Sequence, residues 1–189
     1  MIKFIKSASI INDWPKDQES EICLVGRSNV GKSSLINVLA KSIIAKTSKT
    51  PGRTQCVNFY DFDTHRLVDL PGYGYANVDK NTKNTINKMV NEYLVNRVNL
   101  YGVLQICDAN VITKDDVEMS KFLQKKFKKH YIILNKVDKQ NISVYKNKLN
   151  QIAKYLHQST EHIFLTSVKK FININQIQSL IYHILKINK

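Results

Sequence analysis

The segment that most narrows the fold runs Gly26-Arg27-Ser28-Asn29-Val30-Gly31-Lys32-Ser33-Ser34. It satisfies G-x-x-x-x-G-K-[ST] at every fixed position. A loop of this kind needs a strand entering it and a helix leaving it. Both flanks comply. Glu21 to Val25 is a compact apolar run, as in a buried parallel strand, and Lys32 to Lys41 reads as a helix. The glycines let backbone N–H groups curl around phosphate oxygens, and the helix N-terminus adds its dipole. In that geometry Lys32 reaches the β- and γ-phosphates, and Ser33 ligates Mg²⁺ through its hydroxyl.

The remaining chain alternates strand and helix. Val57–Asp63 and Arg66–Leu70 read as strands joined tightly at Thr64-His65, hence antiparallel. Tyr101–Cys107, Tyr131–Leu134 and Ile163–Leu165 read as further strands. Asn84–Val98, Lys114–Phe127, Val144–His157 and Ile174–Lys186 read as helices. Ile174, Ile177, Ile181 and Ile184 recur at spacings of 3, 4 and 3, which marks one apolar stripe. The pattern predicts a three-layer α/β fold. Its sheet is mostly parallel, with six to seven strands, one of them antiparallel, and helices on both faces. Residues 1–20 read as a short N-terminal extension, a strand followed by a loop around Trp14-Pro15. Residues 21–189 read as a single domain. Ligands of such sheets bind beyond the carboxyl ends of the strands.

Two further motifs fall at those ends. Asp69-Leu70-Pro71-Gly72 closes a predicted strand. Asp69 is placed to hold Mg²⁺ through water, and the Gly72 N–H can approach a γ-phosphate. Asn135-Lys136-Val137-Asp138 follows another strand. The Asp138 carboxylate can accept two hydrogen bonds from guanine N1–H and its exocyclic amine, which adenine does not offer. Asn135 can meet the N7 side, and the Lys136 stem can cover the base plane. Thr166, Ser167 and Val168 after the last strand would complete the base pocket, with backbone N–H groups as donors. Together these residues predict GTP or GDP with Mg²⁺.

Charge adds a different kind of information. The net charge is +14, and residues 120–189 hold 14 Lys and no Arg against Asp138 and Glu161. That balance points to a polyanionic partner such as RNA, DNA or an anionic membrane, and away from an acidic buffer protein. Cys23, Cys56 and Cys107 have no close spacing, which reads as reduced thiols in a cytoplasmic protein. No apolar run approaches the roughly 18 residues of a spanning helix, and the start is too broken by polar residues for a signal peptide.

In this order the motifs resemble a translation-factor-class P-loop GTPase, and more closely the EngB-type family (also called YihA or YsxC) of ribosome-biogenesis GTP-binding proteins. The resemblance runs from about Glu21 onward. It rests on Gly26 to Asn37, on Thr47 to Gln55 with Asn58-Phe59, and on Asp69 to Ala76. It implies a G-domain fold and a switch acting on the large (50S) ribosomal subunit or its precursor, with rRNA as partner. It also implies a role in normal growth, cell division or septation. Within Pro51-Gly52-Arg53-Thr54-Gln55, Thr54 would be the switch threonine that senses Mg²⁺ and the γ-phosphate. Gly52, Arg53, Gln55 and Cys56 would line the nucleotide. Tyr73 stands where many small GTPases carry a water-orienting Gln, so a slow intrinsic rate is expected. Asn29 has two readings, a K⁺ ligand beside the phosphates or a residue that tolerates the loop backbone. The chain departs from the family pattern at Asp108-Ala109-Asn110, where Arg-His usually follows the aspartate, and in the base loop, where the familiar serine-alanine or serine-serine segment is Thr166-Ser167-Val168-Lys169-Lys170, followed by Phe171 where Gly is common. A chain of this kind is expected to be a monomer. The alternative function is a nucleotide-gated RNA- or protein-binding module with negligible turnover. A third, the G-domain of a membrane transporter or septum protein, lacks a spanning or lipidation segment.

Overall fold

The structure, a computed structural model, describes residues 2–46, 56–74 and 79–186. Among these residues seven strands form one sheet: β1 (Lys3–Ala8), β2 (Glu21–Val25), β3 (Val57–Phe62), β4 (His65–Asp69), β5 (Leu100–Asp108), β6 (His130–Asn135) and β7 (Ile163–Leu165). Their spatial order is β1-β3-β4-β2-β5-β6-β7. Only β3 opposes its neighbours: it pairs antiparallel with β1 and β4, while the remaining pairs are parallel. The N-terminal stretch therefore adds an edge strand to the sheet, with Ala8 opposite Val57.

Among the described residues five α-helices cover the sheet: α1 (Lys32–Ala40), α2 (Lys80–Asn96), α3 (Lys114–Lys126), α4 (Ile142–Tyr155) and α5 (Ile174–Lys186). Side-chain alternation along the strands divides the core in two. Ile22, Leu24, Leu104, Ile106 and Ile133 pack under α1 and α5. Cys23, Val25, Val68 and Val103 pack under α2 and α3, and Ile132 and Leu134 under α4. The isoleucine stripe of α5 is buried as its spacing predicts, with Ile177, Ile181 and Ile184 fully covered.

Helix α2 begins four residues before its predicted start. Asp79 caps it, accepting a hydrogen bond from the Thr82 N–H at 2.9 Å, so the polar run Lys80–Lys83 is helical without any apolar periodicity. Helix α4 ends at Tyr155, earlier than predicted, because His157 takes a left-handed backbone with φ of 54°.

One feature at the amino ends of the strands is not foreshadowed by any motif. Glu21, the first residue of β2, is fully buried. Its carboxylate accepts from Arg97 Nε at 2.8 Å, Tyr93 Oη at 2.6 Å and Arg66 Nη1 at 3.2 Å. Arg66 also donates to Asp17 and Glu19. Arg97 reaches the Pro15 carbonyl and lies 5.9 Å from the ring centroids of both Trp14 and Phe59. This cluster fastens the loop after β1 to the starts of β2 and β4.

Candidate functional site

The P-loop leaves β2 at Val25 and enters α1 at Lys32. Gly31 adopts φ of 109°, and a Cβ there would sit 2.4 Å from Asn135 Nδ2. A Cβ on Gly72 would sit 2.7 Å from the Ser28 backbone nitrogen. Only glycine permits either approach. The segment after β4 thus lies against the P-loop, and two hydrogen bonds hold it there: Ser28 N–H to the Tyr73 carbonyl and Tyr73 N–H to the Gly26 carbonyl. Leu70 and Pro71 are buried between them, and the Leu70 N–H donates to the Leu24 carbonyl.

Two charged groups are buried in this corner. Lys32 is 7% exposed, and its Nζ donates to the Gly26 and Arg27 carbonyls at 2.9 and 3.1 Å. Burial lowers its pKa, against the opposing pull of Asp69. Asp69 is 1% exposed. Burial raises its pKa, against Lys32 and the Ser33 hydroxyl. Ser33 Oγ donates to Asp69 Oδ2 at 2.6 Å, whereas Asp69 Oδ1 is buried with no hydrogen-bond partner among the described residues. An unanswered carboxylate oxygen beside a serine hydroxyl is a hard-oxygen donor set, and it fits Mg²⁺. Ser34 follows in the first turn of α1, and Asn29 holds a left-handed backbone at φ of 62°.

The second half of the site forms at the ends of β6 and β7. Asn135 is buried, and its side chain works as a brace: Nδ2 donates to the Val30 carbonyl at 2.8 Å and Oδ1 accepts from the Val168 N–H at 3.1 Å. Half-buried Asp138 accepts from the Ser167 hydroxyl, which fixes its carboxylate. Lys136 Nζ donates to Asp108 Oδ2 at 2.8 Å. Burial works to raise the Asp108 pKa, but hydrogen bonds from Lys136 and Asn110 outweigh it and hold the carboxyl below its usual range.

The backbone N–H groups of Thr166, Ser167 and Val168 are spent within the protein, on the Leu134 carbonyl, the Ile172 carbonyl and Asn135 Oδ1. The Thr166 carbonyl accepts from Val137 N–H. In this arrangement Ser167 and Val168 position Asp138 and Asn135. Cys56 is half-buried. Its Sγ lies 3.1 Å from Ser9 Oγ, engaged with the segment after β1 rather than with the P-loop. Gly52, Arg53, Thr54 and Gln55 lie outside the described residues.

Two functional neighbours escaped sequence reasoning. Asn110, one of the departures from the family pattern, donates to the Lys136 carbonyl and accepts from Tyr145 Oη, so it ties the Asn135–Asp138 loop to α4. Asp116, in the first turn of α3, accepts from Arg27 Nε at 2.9 Å, Tyr73 Oη at 3.0 Å and the Thr113 N–H. The Thr113-x-x-Asp116 spacing announces a helix cap. Nothing in it announces that the same carboxylate also grips the P-loop and Tyr73. The Tyr73 side chain is 6% exposed, with its hydroxyl spent on Asp116. Among the described residues no cluster of three or more His, Cys, Asp or Glu side chains could hold a metal, the three cysteines are free, and no helix is long and apolar enough to cross a membrane.

Comparison with known proteins agrees with this geometry. A family model described as a 50S ribosome-binding GTPase matches residues 21–136. A probable GTP-binding protein EngB of Malacoplasma penetrans is 52% identical over 181 residues, covering 96% of this chain and 97% of the relative. One from Mycoplasmoides gallisepticum is 45% identical, covering 94% and 95%. A crystal structure of a probable GTP-binding protein engB superposes with a TM-score of 0.75 at 24% identity, covering 88% of this chain and 99% of that one, which shows the shared fold.

Proposed function

Because the chain belongs to the EngB family of GTP-binding proteins, we propose that it acts as a nucleotide-dependent switch in assembly of the large (50S) ribosomal subunit, and so in normal growth or division. It is a GTPase, converting GTP to GDP and phosphate. The observation that carries the reading is the corner where Asp69, with one oxygen on Ser33 and the other unanswered, lies buried beside Lys32.

Ser33 and Asp69 would hold Mg²⁺, Asp69 through water, with Thr54 as a second hydroxyl ligand. The ion would neutralise charge on the β- and γ-phosphate oxygens. Lys32 supplies a fixed positive charge to the same phosphates. Asp138, steadied by Ser167, selects guanine. Tyr73 is turned toward α3 and has no amide, so no side chain at that position orients water and turnover is slow. K⁺ at Asn29 would supply part of the missing charge stabilisation; comparing GTPase rates in K⁺ and Na⁺ at matched ionic strength decides it. Since Gly72 and Tyr73 lie against the P-loop backbone, a γ-phosphate bound there would bias the position of residues 70–80, and with them a surface for the ribosomal precursor. The cytoplasm is the proposed place of action and the monomer the working form.

Co-sedimentation with purified 50S subunits tests this. A non-hydrolysable GTP analogue is expected to bring down more protein than GDP. Equal pelleting in the two states would remove the switch.

A further inference from the structure

The positive charge of this chain has a location, and arginine and lysine are used differently. Of the four arginines, Arg27, Arg66 and Arg97 are committed to internal carboxylates, while Arg53 lies outside the described residues. The lysines of the second half mostly face solvent. α3 and α4 cover the same side of the sheet, and on them and the loop after α3 Lys121, Lys125, Lys128, Lys146, Lys148 and Lys154 are all exposed. None of these six pairs with a carboxylate among the described residues. The opposite cover differs: α1 and α5 carry only Lys32, which is buried, and Lys186 at the last position of α5.

The residues between the lysines narrow the partner. Lys121, Gln124 and Lys125 take the first three places of i, i+3, i+4, i+7 spacing on α3, Lys128 stands in the loop just beyond the helix end, and all four are exposed. On α4 the exposed stripe at the same spacing is Asn147, Asn150, Gln151 and Lys154. Ser120 Oγ donates to the Leu156 carbonyl at 2.6 Å, which joins the middle of α3 to the end of α4. A helix that lies on a bilayer sinks an apolar row into it. Here the exposed stripes carry amides, which hydrogen-bond phosphates, ribose hydroxyls and base edges. Tyr155, 50% exposed beside Lys154, offers a ring for stacking.

We propose that the outer face of α3 and α4 binds the phosphate backbone of structured RNA, with Lys121 and Lys125 on α3, Lys128 in the loop after it, and Lys146, Lys148 and Lys154 on α4 as its phosphate-binding groups. The proposal rests on the ribosomal role proposed above but assigns a surface to it, on the side of the sheet away from α1 and α5.

The test uses the full chain and fluorescence anisotropy with a labelled 30-nucleotide RNA hairpin, titrated across a salt series. Lys121→Gln/Lys125→Gln/Lys128→Gln is expected to weaken binding at least 10-fold at 100 mM salt and to reduce the log–log salt slope by about 0.7–0.9 for each phosphate that is no longer neutralised. Lys3→Gln/Lys6→Gln/Lys41→Gln, on the other side of the molecule, should leave both unchanged. GDP affinity, expected to match wild type in both variants, reports intact folding. Equal weakening in both variants, or no RNA binding by wild type at low salt, overturns the proposal. So does tighter binding to phosphatidylglycerol vesicles than to RNA at equal ionic strength. Nucleotide-dependent 50S pelleting that persists undiminished in the α3 variant overturns the surface while the switch stands. Absence of such pelleting in wild type defeats the switch instead.

Discussion

Buried charge lies at both ends of these strands, and the two ends treat it differently. At the amino ends, both oxygens of Glu21 are met by Arg66, Arg97 and Tyr93. Arg66 Nε has no acceptor among the described residues, yet its other nitrogens serve three carboxylates. At the carboxyl ends, Asp69 has one oxygen unanswered, and Lys32 donates to backbone carbonyls. Charge that only holds the fold is closed off by protein groups. Charge proposed to meet a ligand keeps capacity in reserve, and the desolvation cost is visible as the raised pKa of Asp69 and the lowered pKa of Lys32.

Substitutions should separate the two ends. The largest effect belongs to Asp138→Asn, which is expected to shift preference from GTP toward XTP by a factor on the order of 10⁴, read by competition binding, with little change in stability. Unchanged GTP preference would undo the base-pocket assignment. Glu21→Ala works on the other end. It strands two buried guanidinium groups, and urea unfolding should show a stability drop of about 3–5 kcal/mol while nucleotide selectivity stays as it was.

The third test uses pH. His130 opens β6 at the amino end, 1% exposed, with Nε2 3.1 Å from Gln105 Oε1. Burial, with His162 nearby, lowers its pKa from 6.5 to about 4. Between those values the unfolded chain binds the proton and the folded one does not. Stability is therefore complete above pH 6.5 and falls as pH drops toward 4, by about 3 kcal/mol. His130→Gln should flatten that window in urea midpoints; an unchanged slope would assign it elsewhere. The smallest stability effect is expected from Asp69→Asn, within about 1 kcal/mol of wild type. Its Mg²⁺ requirement for hydrolysis should nonetheless rise about 10–100-fold. A large destabilisation there would erase the contrast between the ends.

What the sequence disclosed follows from how each feature is written. The P-loop, Asp69–Gly72 and Asn135–Asp138 are contiguous runs whose chemistry depends on local order, so their positions are legible. The strand–helix alternation yields the layers, because period 2 and period 3.6 survive in a linear string. The Glu21 cluster and the Asp116 hydrogen bonds join residues 43 to 89 positions apart, and no local pattern encodes such pairs. Glu21 stands at the head of an apolar run and reads as the boundary of a strand. Its partners Arg66 and Arg97 look like ordinary surface cations. The internal partners of the three N–H groups at Thr166–Val168 are unwritten for a related reason: which donors a loop engages depends on whether Ile172 folds back onto it.

The Glu21 cluster also works as a register pin. β2 is five residues long, with Glu21 at one end and the P-loop directly after the other. A slip of one residue would turn Ile22 and Leu24 toward α2 and α3, and Cys23 toward α1. It would draw Glu21 about 3.3 Å away from its arginines. It would also push a side-chain-bearing residue toward the position of Gly26, where a Cβ would stand 2.3 Å from the Ile106 carbonyl oxygen. The ion cluster at one end of β2 thus sets the height at which the phosphate loop emerges from the other.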